Sequence, residues 1–202
     1  MTKWQNSKKR IFDLSISLIG LTLLWPVIVI AAVIAKIDTG SSGIFSQERI
    51  GYEGKPFFVY KIRTMIAETT SHNTNVTTSN DPRISMSGAI LRRYKVDELP
   101  QLYNVLIGEM SFVGPRPEVP EMVATLSKSD RVILNCRPGI TGPATIKYRN
   151  EESILASQPH PEQYNLQVLY PDKVQINKKY LDEFSLAGDV RFILITIGIL
   201  AE

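Results

Sequence analysis

An apolar run from Ile11 to Ala35 constrains this chain most; Lys3, Lys8, Lys9 and Arg10 precede it and Lys36 closes it. Roughly 20 apolar residues suffice to cross a bilayer, so the run is long enough to do so. It is too long for the apolar part of a cleaved signal peptide, and no small-residue cleavage site is evident. The run is interrupted at Trp25-Pro26. Pro26 removes one helical hydrogen bond and crowds the carbonyl of Thr22, which predicts a kink. Each half is then too short to span. Basic residues flank both ends, and such residues favour the cytoplasmic face. A helix–break–helix hairpin over residues 1–36 enters the membrane and returns, keeping both ends inside. An ordinary kinked transmembrane helix is the alternative. Thr22 is expected to help satisfy backbone groups freed at the break. Asp13 is costly in lipid unless paired, with Lys9 or Arg10 as its expected partner near the interface.

The second informative stretch runs from Leu91 to Pro117. Asp97 and Glu98 stand directly before Leu99, Leu102, Tyr103 and Leu106, which recur at helical spacing. Pro100 suits a first helical turn, where its missing N–H would find no partner anyway. Asp97 is therefore expected at or beside the N-cap, with Glu98 in the first turn. A helix N-terminus offers free N–H groups and partial positive charge, which hold carboxylates ionised and attract phosphate. Arg92, Arg93 and Lys95 precede this helix and Arg116 follows it, set in Gly114-Pro115-Arg116-Pro117, where the prolines fix the backbone. A carboxylate nucleophile among such cations describes a site for phosphoryl transfer. In the plain alternative Asp97 only caps and the arginines are solvated.

The remaining residues exclude more than they assign. A chain of 202 residues suits one domain with an appendage, and its net charge of +3 is too small to argue for a nucleic-acid partner. Cys136 is the only cysteine, so no disulfide forms within the chain. His72 and His160 lie in polar or proline-rich segments without metal-ligand spacing, and no P-loop or GxGxxG occurs. Ile44 to Ile50 and Pro56 to Ile62, separated by Gly51-Tyr52-Glu53-Gly54, read as a β-hairpin. Lys61 and Arg63 alternate, hence share a face, and suit a diphosphate or a solvated sheet. Residues 67–80 are polar and read as a mobile connection, either a lid or simply a variable loop. A helix is expected from Asp81 toward Tyr94, a short one over Glu118 to Leu126, and another over Ile176 to Phe184. Ser153 to Lys173 is broken by prolines. Val190 to Leu200 is nearly all apolar but too short to span, and reads as a helix against the protein or membrane surface, or as a buried strand.

The run from Asp97 to Leu106, DELPQLYNVL, followed by GEMSFVGPRPE to Glu118, resembles the signature of the bacterial sugar transferases, the small monotopic phosphoglycosyl transferases. The likeness continues at KKRIFDL, YKIRTM, DPRI and RPGITG, and covers most of the chain in the family's order. It implies an α+β, helix-rich protein: a re-entrant membrane hairpin over 1–36, then a β-hairpin and several short helices in a compact catalytic domain over 37–202. That domain would face the cytoplasm at the bacterial inner membrane. The implied reaction moves a sugar phosphate from a UDP-sugar to a membrane polyprenyl phosphate and releases UMP. Asp97 would be the nucleophile and Glu98 a general base. Lys61, Arg63, Arg92 and Arg116 would hold phosphate oxygens, and Arg137 belongs to the same surroundings. Converging phosphate charges call for Mg2+, with Asp97 as the first ligand to name. Membrane lipids are implied partners, and a homodimer is left open. Pro143 to Asn150 departs from the Gly-Trp-Ala-Gln expected there, which bears on the donor sugar. Two rival readings are a glycosyltransferase releasing UDP, whose common DxD motif is missing, and a non-catalytic membrane scaffold.

Overall fold

The apolar run forms α1 (Lys3–Thr39), a helix of 37 residues that is continuous through Pro26. The computed structural model describes residues 3–66, 77–78 and 81–201, and side chains from Ser7 onward. Along α1 one stripe faces the rest of the chain: Lys9, Asp13, Ser17, Ala31, Ala35 and Thr39 are buried. Their spacing is helical, which is why one side of so apolar a helix can be covered while the other is not. Ile11, Leu18, Leu23, Trp25, Ile30 and Ile37 point outward and are exposed. At 1.5 Å per residue α1 is about 55 Å long if straight, and both of its ends rest on the same body. Lys9 near the start makes an ion pair with Asp189, and Asp38 near the end accepts hydrogen bonds from Ser87.

Four details differ from expectation. Helical geometry passes Trp25-Pro26 without a break, and the expected boundary at Lys36 falls inside α1. The Thr22 hydroxyl donates to the Leu18 carbonyl, 2.8 Å away, and so serves the preceding turn rather than the groups freed at Pro26. Asp13 accepts from the Phe112 N–H at 3.2 Å, whereas Lys9 pairs with Asp189 and Arg10 donates to the carbonyls of Val105 and Leu106.

Strands β1 (Ile44–Ile50) and β2 (Pro56–Ile62) form the predicted antiparallel hairpin, in register from Ile44 opposite Ile62 to Ile50 opposite Pro56. Ile62 packs with Ala31 and Ala35 of α1 in one apolar cluster; Phe57 and Val59 pack with Val105 and Met110 in another. After the hairpin come α2 (Met86–Arg93), a 3-10 turn (Val96–Glu98) and α3 (Gln101–Ile107). The short strands β3 (Ser111–Val113) and β4 (Gly139–Thr141) pair in parallel, with α4 (Pro120–Ala124) between them. Short helices α5 (Pro143–Lys147), α6 (Glu151–Ala156) and α7 (Pro161–Tyr164) lead to α8 (Tyr170–Asp182) and α9 (Leu186–Thr196). Ser153 to Lys173 is thus mostly helical, and Val190 to Leu200 is largely helix, not strand. Among the described residues the chain is helix-rich, with two small two-stranded sheets. All but two residues of the expected 67–80 connection lie outside the described residues, as does the question whether it is a lid.

Candidate active site

The helix expected to begin at Asp97 begins four residues later. Pro100 stands before Gln101, the first residue of α3, and no side chain caps that end. Asp97 and Glu98 lie instead in the 3-10 turn, entered through Lys95 in the left-handed conformation (φ 57°, ψ 21°). A non-glycine residue there is disfavoured, and such positions cluster where a fold over-determines the backbone. The turn joins α2 to α3 and buries Asp97, which is 7% exposed. Its Oδ1 is buried and has no hydrogen-bond partner.

Glu98, next in sequence, has the opposite surroundings. Its Oε1 accepts from Lys61 Nζ of β2 at 3.2 Å and from Arg116 Nη2 at 3.0 Å. Burial and the charge of Glu98 push the Asp97 carboxyl above its ordinary value, against the pull of Lys61, Lys95 and Arg92. Burial pushes Glu98 up as well, but Arg116, Lys61 and Lys95 outweigh it and hold that carboxyl well below the usual range. The two adjacent carboxylates are thereby driven apart in acidity, a pattern of groups with separate tasks.

Arg116 is aimed by backbone. The Gly114 N–H donates to the Thr141 carbonyl (2.9 Å) and the Gly139 N–H to the Pro115 carbonyl (2.8 Å). A Cβ on Gly139 would come within 2.2 Å of the Gly114 nitrogen, so the crossing admits only glycine. This is the use the structure makes of the RPGITG segment: it seats the loop carrying Arg116. Arg137 itself donates to the Gly108 carbonyl (2.7 Å) past the C-terminal end of α3 and lies over the Tyr52 ring, at the far end of α3 from Asp97.

The other expected phosphate ligands divide. Arg92 acts electrostatically on Asp97 while its guanidinium pairs with Glu152 of α6 and reaches Thr64 Oγ1 at 3.4 Å. Arg63 donates to the Ser42 carbonyl (2.7 Å) and stacks on Phe45, one step beyond Lys61 on the hairpin face. Lys61 and Arg116 therefore come together at Glu98, and Arg63 and Arg137 do not join them.

Lys61 and Arg116 also line a shallow cleft with Phe45, Arg49, Val59 and Gln101. Sequence reasoning missed Arg49 and Gln101. A signal for Arg49 existed, since cross-strand pairing of Phe45 with Lys61 and of Arg49 with Phe57 puts 45, 49 and 61 on one face. Gln101 carried none, being a polar residue in a helix with an apolar pattern.

Among the described residues no group of three or more His, Cys, Asp or Glu could hold a metal. The unpartnered Asp97 Oδ1 suits an ion that takes one protein carboxylate and completes its shell with phosphate and water, the habit of magnesium. Magnesium fits these residues; a protein-caged ion does not.

Residues 4–202 match the bacterial sugar transferase family. The chain belongs to that family. Family members it resembles include undecaprenyl-phosphate glucose phosphotransferase of Komagataeibacter xylinus, 32% identical over 98% of this chain and 36% of that protein. UDP-glucose:undecaprenyl-phosphate glucose-1-phosphate transferase of Escherichia coli is 33% identical over 94% of this chain and 39% of its own length. The exopolysaccharide production protein ExoY of Sinorhizobium fredii is 31% identical over 94% of this chain and 83% of its own length. The chain thus spans well under half of the first two sugar transferases and most of the third.

Proposed function

We propose that this sugar transferase moves a sugar phosphate from a UDP-sugar to a membrane polyprenyl phosphate through a phosphosugar–aspartate intermediate. One observation carries the reading: a buried carboxylate with a free oxygen, Asp97, stands beside a carboxylate neutralised by Lys61 and Arg116. Asp97 Oδ1 attacks the sugar-linked phosphorus, the bond from that phosphorus to the bridging oxygen breaks, and UMP leaves with the electron pair. An oxygen of the polyprenyl phosphate then attacks the same phosphorus, and the Asp97 carboxylate departs unchanged. No water enters either step. Lys61 and Arg116 hold phosphate oxygens, the guanidinium being suited to two contacts at once. Glu98 keeps both cations in place; the same cations make it too weak a base for the general-base role, so its part here is to position them. Bound magnesium would neutralise phosphate charge, with Asp97 as its protein ligand.

The acceptor lives in a bilayer, and α1 supplies a way to it. Its outward face is apolar from Ile11 to Ile37, and Ser7–Thr39 is long and apolar enough to cross a membrane. Because both ends rest on one body, we infer that α1 enters lipid by its outward face and returns both ends to the catalytic side, the cytoplasmic one. Sequence similarity to relatives named for undecaprenyl phosphate supports the same acceptor class. The test is nucleotide release from a panel of UDP-sugars with polyprenyl phosphate, magnesium and detergent-solubilised protein. UMP that depends on acceptor and on Asp97 is expected. UDP would move the protein to the glycosyltransferases, and neither nucleotide would favour a scaffold.

A further inference from the structure

We propose that Gln101 contacts the substrate, its side-chain amide donating a hydrogen bond to the phosphoryl group that Asp97 receives. The proposal rests on the phosphosugar-transfer reading above. Gln101 is 3% exposed, opens α3 and lines the cleft shared by Lys61, Arg49 and Arg116. Its Nε2 is buried without a hydrogen-bond partner. Asp97 Oδ1, four residues earlier, is also buried without one. One orphan is a donor and the other an acceptor, yet they do not satisfy each other.

Burial without a partner is a standing cost, and folds rarely leave it where a partner is at hand. The neighbouring amide shows what satisfaction looks like here. Asn104, one turn along α3, is fully buried, donates to the Phe58 carbonyl (2.7 Å) and Glu109 (2.8 Å), and accepts from the Tyr60 N–H (3.2 Å). Gln101 has no such engagement, and its cleft is lined by three cations, so the missing acceptor is an anion. A phosphoryl group meets both orphans at once, offering phosphorus to Asp97 and an oxygen to Gln101. A neutral donor adds direction without adding charge, and it binds most strongly as charge gathers on that oxygen during transfer.

The test uses the full chain in detergent, with Gln101→Leu, Gln101→Glu and Asp97→Asn side by side. Two measurements are made: UMP release over the UDP-sugar panel, and the thermal midpoint with and without magnesium and inorganic pyrophosphate. For Gln101→Leu we expect kcat to fall about 100-fold with KM little changed. Its midpoint without ligand should hold or rise, because an unpaired amide has been removed, and the pyrophosphate-induced shift should shrink. Gln101→Glu should lose more than Gln101→Leu, since it repels the phosphate and cannot donate. A lower ligand-free midpoint that accounts for the lost activity would make Gln101 a structural residue and overturn the proposal. So would an unchanged kcat or an undiminished pyrophosphate shift. Full turnover by Asp97→Asn would instead bring down the reaction reading and this proposal with it. Loss in Asp97→Asn alone would overturn only the role of Gln101.

Discussion

Asp97 and Glu98 are neighbours in sequence with opposite effects on stability, and the difference is measurable. A carboxyl whose folded pKa is raised binds its proton more tightly folded than unfolded, so its ionisation at higher pH weakens the fold. Asp97 is such a group. Asp97→Asn should therefore abolish turnover while leaving the thermal midpoint at pH 7 equal or higher; a clear drop would mean that the carboxylate is structural. Glu98 has a lowered folded pKa, so its contribution is present above the ordinary value of 4.5 and fades as pH falls from there. Glu98→Gln should cost about 1–3 kcal/mol at pH 7, the worth of hydrogen bonds to charged groups. The gap between wild type and variant should narrow steadily as pH falls below that ordinary value, and a gap as wide at pH 3 as at pH 7 would contradict the assignment.

Elements explain which parts of this arrangement were legible in advance. The β-hairpin was, because β-branched and aromatic residues flank a glycine-bounded turn and nothing competes with that pattern. Helix starts were not. Asp81 and Asp97 have the look of N-caps, yet Asp81 bonds Arg83 within a turn, and α2 starts after Ser85, whose hydroxyl accepts from the Gly88 N–H. Short polar side chains satisfy turns as readily as helix ends, so their presence alone does not mark a boundary. The face of α3 was misread for a related reason. Tyr103 is exposed while Gln101 and Asn104 are buried, because Asn104 bonds the β2 backbone and an apolar count cannot register that. The structure brings Glu98 of the Asp-Glu pair, Lys61 and Arg116 together, and Arg137 stands at the far end of α3, where the glycines of its segment form the crossing. Gly139→Ala tests this. It should destabilise by roughly 1–3 kcal/mol through overpacking and raise KM for the donor by displacing Arg116. Wild-type KM in a folded Gly139→Ala protein would show that the crossing does not position the arginine.

At the scale of the whole molecule, the question is on which side of a bilayer the two ends of α1 stand. Because Cys136 is buried, cysteines introduced at other positions can be labelled without interference. Lys8→Cys and, just past the end of α1, Ser42→Cys should both react with a membrane-impermeant thiol reagent from the catalytic side of sealed vesicles. Reaction from opposite sides would establish a simple span and remove the re-entrant reading. Reaction of both from the catalytic side would hold the body at headgroup height, as the re-entrant proposal requires. Charged and polar groups of the buried stripe hold α1 to the body, and its outward apolar face remains for lipid.

The pairing of Lys9 with Asp189 also sets an order of events. The partners are 180 positions apart, so at 5–20 residues per second a ribosome needs about 10 to 40 s to make the second after the first. For most of that interval the apolar helix is already synthesised and its lysine lacks Asp189. Of the contacts that seat that end, the Lys9–Asp189 pair must form late, whereas those of Arg10 with Val105 and Leu106 and of Asp13 with Phe112 become possible much earlier. A nascent chain halted before Asp189 would hold a complete apolar helix whose polar end has Arg10 and Asp13 as anchors but not yet Lys9.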